Sequence, residues 1–400
     1  MKRVIIGIIV FTLLMIYNSV IAQTPDSQKV YKEFSMEIKL DYRGFFNEGQ
    51  YWGQKQHYIS GAAQPEYLME WQKGKYTLKG VLFGRIDQYD KNRTHFDVRE
   101  LYWQMVKNNW ELSIGAKKIF WGVTESAHLV DIINQTDFVE SFDGEQKLGE
   151  AMVHYSGVTK IGTFDAFYLP YFRKRVFPGA KGRLRPPIVL DGRKFEFEGK
   201  DEEFTPSFAG RWSHYFGKFD IGLSHFYGVG REPIIADFST LKAVYGTINQ
   251  TGLDVQATTG AWLWKLEAIA RRNDIQDMNA VAAGFEYTFS NVKNSGIDIG
   301  VLSEYLYDDR DLLSFSGLQN DVFVATRIAF NDMQSTSILL GGFFDVERTS
   351  KLFRAEINRR VKNSWSLALE ATVFTDIDPT EFLYVTRDDS YMQFTISKFF

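Results

Sequence analysis

The sequence contains no cysteine, only nine prolines and, beyond its first 22 residues, no apolar run long enough to cross a membrane as a helix. Without cysteine the chain can form no disulfide and cannot be anchored through a lipidated N-terminal cysteine. The lack of a second long apolar run excludes a helical membrane protein. Positive and negative charges nearly cancel, with 46 Lys and Arg against 50 Asp and Glu, and this balance argues against nucleic acid as a partner.

The N-terminus resembles an export signal. Two basic residues, Lys2 and Arg3, precede an apolar run from Val4 to Tyr17, which is followed by Val20-Ile21-Ala22 and then Gln23. This order predicts a secretory signal peptide at residues 1–22, cleaved after Ala22. Residues 23–400 would then form one domain, since no linker or low-complexity segment interrupts them.

Aromatic side chains are abundant: 34 Phe, 20 Tyr and 9 Trp make up 16% of the chain, although its mean hydropathy is negative. A membrane β-barrel fits this combination, because only one face of each strand meets lipid. Residues 391–400 alternate apolar with polar side chains and end on Phe400. That period of two is typical of the last strand of an outer-membrane barrel, and a secreted soluble all-β protein is the alternative.

Similar alternating segments follow one another along the chain, and the connections between them are alternately short and long. The pattern predicts an all-β fold, a transmembrane antiparallel up-and-down β-barrel of about 18 strands, with 16 as the second choice. The predicted strands are 33–46, 56–72, 75–88, 96–107, 109–121, 147–156, 160–171, 205–216, 217–229, 243–259, 262–272, 279–289, 295–307, 320–330, 335–347, 351–361, 364–376 and 390–400.

The alternation also predicts which side chains face the interior. On the first strand, Leu40 and Tyr42 would face lipid and Asp41 and Arg43 the lumen, because a charge at the lipid midplane costs about 2–4 kcal/mol. A barrel this wide cannot be filled by side chains alone, so interior charges would set the field around a passage. The predicted pore-lining residues are Lys117, Arg211, Lys265, Glu267, Arg327, Arg354 and Glu356. Alternatively, these charges pair across strands and brace the wall.

Two long connections have an unusual composition. Residues 122–146 are rich in apolar side chains, so we expect them to pack inside the barrel as a constriction. Residues 172–204 are basic in their first half, which would attract anions if the loop folds into the mouth. The predicted constriction residues are Trp121, Asp131, Asn134, Arg183 and Arg185. The alternatives are a contact of the first loop with lipid or a neighbouring protomer, and of the second with lipopolysaccharide phosphates.

No catalytic or cofactor site emerges from the sequence. In Ser213-His214 and Ser224-His225, the two side chains of each pair point to opposite faces of a strand and cannot share a hydrogen bond. Residues 308–311 lack the glycine turn and the ligand spacing of a calcium loop, so a solvated loop is expected there. We therefore predict no catalytic residue, no metal site and no cofactor.

Several short phrases spread over the chain are similar to those of largely uncharacterised Gram-negative outer-membrane porin-like β-barrels, related in style to alginate-export barrels. The phrases lie at 99–103, 115–122, 131–134, 182–185, 230–233, 250–254, 264–267, 284–288 and 308–310. The resemblance implies an outer-membrane barrel and assigns no solute. A close match to an alginate exporter would need a strongly cationic lumen, whereas the interior charges here are nearly balanced.

Together these observations predict an outer-membrane channel for the passive diffusion of small polar solutes, constricted by residues 122–146 and 172–204. Its partners would be outer-membrane lipid and lipopolysaccharide, small polar solutes and no nucleic acid. Wide porins often trimerise, and a homotrimer is left open because the sequence identifies no interface. The alternatives are a plugged structural or adhesion barrel without transport and, with least support, an outer-membrane enzyme.

Overall fold

The computed structural model describes residues 30–237, 242–314 and 317–400. The predicted signal peptide, residues 1–22, lies outside the described residues. Twenty-one strands occur in the described part of the chain, and eighteen of them form one sheet. Among the described residues, no helix is both long and apolar enough to span a membrane.

The strands are named β1 to β21 in chain order. Their bounds are Tyr31–Phe45, His57–Trp71, Tyr76–Asp87, His95–Lys107, Trp110–Lys117, Glu150–Thr159, Gly162–Leu169, Glu196–Phe197, Ser207–Phe216, Phe219–Val229, Ile234–Asp237, Lys242–Tyr245, Thr247–Thr259, Trp262–Arg272, Met278–Phe289, Asp298–Asp308, Asn320–Ala329, Ser337–Asp345, Lys351–Val361, Trp365–Thr375 and Tyr391–Phe399. Short 3₁₀ turns lie at Gly192–Lys194, Glu202–Phe204, Val292–Asn294, Asp311–Leu313 and Phe382–Thr386.

The large sheet closes on itself into a barrel. Each of its strands pairs antiparallel with the next one along the chain, and the first strand, β1, pairs with the last, β21, with Leu40 opposite Ile396. Closure satisfies the backbone hydrogen bonds of both edge strands, as a membrane barrel requires. The predicted antiparallel barrel of 18 strands is confirmed, and the alternative of 16 strands is wrong.

Side chains alternate between the two faces of the wall as a strand's period of two requires. On β1, Leu40 is 54% exposed on the outer face, whereas the next residue, Asp41, is 2% exposed inside the barrel. One irregularity interrupts the pairing of β3 with β4, between Val81 and Leu82. On β1 the charged Asp41 therefore lies on the inner face and the apolar Leu40 on the outer face.

The connections at the two ends of the barrel differ in length. One end carries the N-terminal side of β1 and tight turns, such as 108–109 and 217–218. The other end carries the long connections, and the two longest span residues 118–149 and 170–206. These contain the predicted loops 122–146 and 172–204, and we call them the inner loop and the mouth loop.

A second, small sheet lies at the end with the long connections. In it β12 pairs parallel with β8 and antiparallel with β11. The prediction of one continuous strand over 243–259 is therefore wrong, because the chain leaves one sheet and enters the other at Gly246. A Cβ atom there would lie 2.6 Å from Nδ2 of Asn273, so a larger residue would displace this side chain, which donates to the Thr247 carbonyl.

Candidate functional site

The inner loop leaves the wall at β5 and returns to it at β6, yet it contacts strands far round the barrel. Counted round the ring from β5, β14 is the sixth strand and β16 the eighth. Both hold the loop through a carboxylate, Glu267 on β14 and Glu304 on β16. The loop therefore crosses the interior of the barrel.

Glu267 is fully buried, and its carboxylate binds the beginning of the loop. It accepts hydrogen bonds from the backbone amides of Val123 (2.7 Å), Thr124 (3.0 Å) and Val130 (3.1 Å), and from the Thr124 hydroxyl (2.8 Å). Burying a carboxylate is costly unless donors surround it, and four donors meet that requirement here.

Glu304 binds the next residues in the same way. Its carboxylate accepts hydrogen bonds from the backbone amides of Glu125 (2.9 Å) and Ser126 (2.8 Å) and from the Ser126 hydroxyl (2.5 Å). The side chain of Glu125 meets Arg327 at 2.7 Å and Lys265 at 3.8 Å. Two wall carboxylates and two wall cations thus hold a stretch of four residues, 123–126.

The apolar half of the inner loop packs against one side of the wall. Val130, Ile132 and Ile133 are buried in a cluster with Trp121 of the same loop. The wall contributes Met152, Phe167, Leu169, Ala209, Phe226, Ile248, Ile269, Met278 and Ala280 to this cluster. This packing accounts for the apolar composition of residues 122–146 and leaves the polar side of the loop towards the rest of the interior.

The far part of the loop is held by ion pairs. Arg85 on β3 contacts Glu140 at 2.7 Å, Arg99 on β4 contacts Asp137 at 2.5 Å, and Arg354 on β19 contacts Asp143. Charged residues of the wall therefore bind the inner loop from several directions.

The predicted pore-lining residues all have partners on the wall or the loop. Beyond the contacts above, Arg211 forms a two-point pair with Asp254 at 2.6 and 2.8 Å, and Glu356 lies 3.0 Å from Arg354. Nζ of Lys117 lies 3.2 Å from the Ser113 hydroxyl. The pair of Arg211 with Asp254 joins two wall strands, as the bracing alternative expects, whereas Lys265, Glu267, Arg327 and Arg354 contact the inner loop.

The predicted constriction residues Trp121, Asp131 and Asn134 lie in the inner loop. The backbone amide of Trp121 donates to Asp131, whose other oxygen lies 3.2 Å from Nζ of Lys147. Burial raises the pKa of Asp131, and Lys147 opposes this effect. Asn134 donates to the carbonyls of Lys117 (2.9 Å) and Leu148 (2.8 Å), so it ties the two ends of the loop together.

The other two, Arg183 and Arg185, lie buried in the mouth loop. Arg183 contacts Asp389 at 2.6 Å and donates to the carbonyls of Asn47 and Lys55, which joins three connections at this end of the barrel. Arg185 donates to carbonyls of its own loop, those of Ala180, Pro186 and Pro187.

Two cavities of about 310 and 180 Å³ lie between the inner loop, the mouth loop and the wall. They share part of their lining, including Arg175 and Glu232. Glu232 also contacts Arg310 at 3.2 Å, and Arg310 contacts Asp308 at 2.7 Å. The expectation of a solvated loop at 308–311 is therefore wrong for Asp308 and Arg310, because their ion pair is buried.

Sequence reasoning missed Arg231, Glu232 and Arg310 as site residues. They lie in loops that follow the ends of strands. Side chains in loops do not alternate between two faces, so the sequence pattern could not predict where these three side chains point. Arg231 and Glu232 directly follow Gly230, at a position where charged residues normally remain in solvent.

No protein-family model and no curated protein matches the chain. Solved structures of porins do match the chain. A BenF-like porin from Pseudomonas fluorescens Pf-5 aligns with a TM-score of 0.55 at 8% identity, over 93% of this chain and 98% of the porin. Pseudomonas aeruginosa OpdQ aligns with a TM-score of 0.53 at 10% identity, over 92% and 98%. Pseudomonas aeruginosa OccK5 (OpdH) aligns with a TM-score of 0.53 at 9% identity, over 92% and 97%. The resemblance to outer-membrane porin-like barrels is confirmed at the level of the fold.

Proposed function

We propose that this protein is an outer-membrane channel through which small polar solutes diffuse passively, with the inner loop and the mouth loop narrowing the passage. The export signal at residues 1–22 and the absence of an enzymatic role belong to the same proposal. The fold supports the location, since porins of this fold lie in the outer membrane.

The observation that carries the proposal is the exposure of charged side chains inside the barrel. Arg327 and Glu356 face the interior, yet 39% and 33% of their side chains remain exposed beside the inner loop. A barrel of eighteen strands is too wide for its own side chains to fill. Water therefore has room next to the loop, and a polar solute would pass along these charges.

The inner loop supports the proposed narrowing because it is held on both sides of the passage. Glu267 and Glu304 bind it through backbone amides, and these bonds hold the loop in place whatever its side chains are. Charges on the loop, such as Glu125 and Asp143, form ion pairs with the wall cations Arg327 and Arg354 at the edge of the proposed passage. Size and local field together would select the solute.

A plugged barrel without transport is the second candidate, because the cluster around Val130 and Ile133 is completely buried and fills one side of the interior. Single-channel conductance of refolded residues 23–400 in a planar bilayer separates the two candidates. We expect stable conductance steps and a reversal potential under a salt gradient. Silence from correctly folded, heat-modifiable protein would favour the plugged barrel.

Charge reversal tests whether the interior side chains set the field. We expect Lys265→Glu and Arg354→Glu each to change conductance and ion selectivity. Unchanged conductance and ion selectivity in both variants would contradict the proposed channel mechanism. A homotrimer and contacts with lipopolysaccharide stay predictions, and the native mass of the solubilised protein would check the first of them.

A further inference from the structure

Lysine side chains follow one another round part of the barrel at the end with the tight turns. The arc begins at the turn that joins β19 to β20, crosses the closing pair of β21 and β1, and ends at the turn that joins β9 to β10. We call this surface the basic arc; its lysines, which are exposed or half-buried, are Lys32, Lys73, Lys75, Lys107, Lys160, Lys218, Lys362 and Lys398. Among the described residues, no carboxylate lies within 4 Å of any of these ammonium groups.

The carboxylates of the same strand ends lie on the other face of the wall. Glu33 has the same parity on β1 as Asp41, which is buried inside the barrel, and the register of β1 with β2 places Glu70 on that inner face as well. Asp220 on β10 shares its face with the buried Phe226. Along the basic arc the outer surface therefore carries cations, whereas the anions of the strand ends face the lumen.

Three lysines of the basic arc lie over aromatic rings beside the outer face. The distances from Nζ to the centre of the ring are 5.2 Å for Lys75 and Tyr76, 5.5 Å for Lys107 and Trp110, and 5.0 Å for Lys398 and Trp365. Tryptophan and tyrosine on the outer face of a membrane barrel occupy the level of the lipid headgroups. The ammonium groups are therefore held at the level of the lipid phosphates, which long cationic side chains reach readily.

The rest of the circumference at this end has aromatic side chains but no comparable excess of cations. Aromatic residues of β14 and β15 stack there. In the turn before β16, Lys293 is followed by Asp298, and in the turn between β17 and β18, Asp332 pairs with Arg359 at 3.3 Å. A belt of aromatic residues therefore does not by itself require lysines, and the excess of positive charge belongs to the basic arc.

The charge on the basic arc favours an anionic partner. Like charges along one rim repel each other unless anions lie between them. A leaflet that contains anionic phospholipid supplies phosphates at the level of the arc, and each lysine near such a surface strengthens the attraction. The short turns of outer-membrane barrels face the periplasm, so the leaflet concerned would be the periplasmic one.

We propose that the basic arc binds the phosphates of anionic phospholipids in the leaflet at the end with the tight turns. Lys32, Lys107 and Lys398 lie on strands, on the face that meets lipid, and this position favours a phospholipid over a polymer beneath the rim. The proposal goes beyond the channel, because it requires a folded barrel inserted in a membrane and no conduction.

Electron paramagnetic resonance of spin-labelled lipids tests the proposal. The refolded protein is placed in phosphatidylcholine vesicles, and the motionally restricted fraction is compared for labelled phosphatidylglycerol and labelled phosphatidylcholine. We expect phosphatidylglycerol to associate at least about twofold more strongly at low salt, since each lysine contributes more than this factor while lipid round the rest of the barrel dilutes the effect. At about 1 M salt, where the screening length is about 3 Å, the two lipids should associate equally.

The triple variant Lys75→Gln, Lys107→Gln, Lys398→Gln removes the lysines over aromatic rings and should lose most of the preference. Its matched control changes the net charge equally by replacing three exposed lysines at the opposite end, and should keep the preference of the parent protein; the control substitutions are Lys91→Gln, Lys194→Gln and Lys200→Gln. Heat-modifiable migration verifies folding. If the triple variant does not fold, Lys73→Gln with Lys362→Gln carries the same test, because both residues lie in turns.

Equal association of the two lipids at low salt, an unchanged preference in the triple variant, or an equal loss in the control would overturn the proposal. Purified peptidoglycan, an anionic polymer of the periplasm, tests the other kind of partner. If the solubilised parent protein sediments with peptidoglycan, the triple variant does not, and no lipid preference exists, the basic arc binds the polymer and the lipid proposal is wrong. A barrel that prefers phosphatidylglycerol but does not conduct would overturn the proposed channel alone.

Discussion

The carboxylate of Glu267 and the backbone amide of Thr124 lie 3.0 Å apart, although Glu267 is on β14, a third of the barrel's circumference from β5, where the chain enters the inner loop. This bond is one of four that end on Glu267, three from backbone amides and one from the Thr124 hydroxyl. One of the amides is that of Val130, whose side chain lies in the buried apolar cluster, so hydrogen bonds and apolar packing together position the inner loop. The two kinds of contact respond differently to mutation and to pH.

Replacing Glu267 by glutamine should loosen the inner loop and raise single-channel conductance. The amide lacks the negative charge and presents hydrogen atoms to a donor, so at least one buried backbone amide loses its acceptor. Each such loss costs about 1–3 kcal/mol. Conductance in a planar bilayer, together with limited proteolysis of residues 118–149, measures the effect.

The control for that change is Glu100→Gln. Glu100 is also an interior carboxylate of the wall, but its partner is Lys79 on the neighbouring strand at 2.9 Å. This variant should retain the parent conductance and the parent resistance to protease. Equal changes in both variants would mean that loss of interior charge, and not release of the loop, opens the passage.

Exchanging the charges of Arg354 and Asp143 in a double variant should restore the conductance and ion selectivity that each single charge reversal changes. Arg354→Asp or Asp143→Arg alone places like charges opposite each other, which should push the loop away and change ion selectivity. The double variant rebuilds the pair with its sign inverted, so conductance should return towards the parent value.

Arg359→Asp serves as the comparison, because Arg359 lies on the same strand, β19, and pairs with Asp332 at the end with the tight turns. It should leave the inner loop in place. If the double variant behaves as the sum of its single reversals, the contact between Arg354 and Asp143 does not position the loop.

Acidification should tighten the connection 376–390, which covers the larger cavity. Burial raises the pKa of Glu381 from its ordinary value near 4.5 to about 7; Asp345 and Asp321 add to this effect and Arg348 opposes it. The docked connection thus binds a proton more strongly than the released one, so docking is strongest below about pH 4.5 and weakens as pH rises through 7.

Hydrogen exchange of residues 376–390 between pH 5 and 8, corrected for intrinsic rates, measures this dependence. Glu381→Gln cannot titrate and should remove most of it. Asp389, whose pKa burial also raises, would retain a smaller effect in the same direction. An unchanged pH dependence in Glu381→Gln would assign the effect to another group.

Leu223→Arg should destabilise the barrel by about 2–4 kcal/mol, because Leu223 lies in the middle of β10 on the outer face and a charge there meets the lipid midplane. Urea unfolding from lipid vesicles measures the loss. The control, Leu223→Met, keeps an apolar side chain of similar volume and should cost less than about 1.5 kcal/mol. Equal stability of the two variants would mean that this face does not meet lipid.

The strands could be predicted because side chains along a strand alternate strictly between its two faces and because lipid excludes charged side chains. Asp41 and Leu40 are adjacent, and their side-chain types alone predict the opposite faces that the structure shows. The apolar residues at 130–133 were likewise a sufficient reason to expect the inner loop inside the barrel. Side chains in loops follow no such alternation. For this reason the sequence did not identify Arg231 and Arg310 as site residues.

The sequence by itself indicated a closed antiparallel barrel, a number of strands near eighteen and the alternation of strand residues between lipid and lumen, since these follow from local periodicity and the cost of charge in lipid. Only the tertiary structure decided which charges are partners. Glu267 and Thr124 are 143 residues apart, and Glu304 and Glu125 are 179. Closure of the barrel brings such residues together, whereas the alternation within a strand relates only residues that are close in sequence.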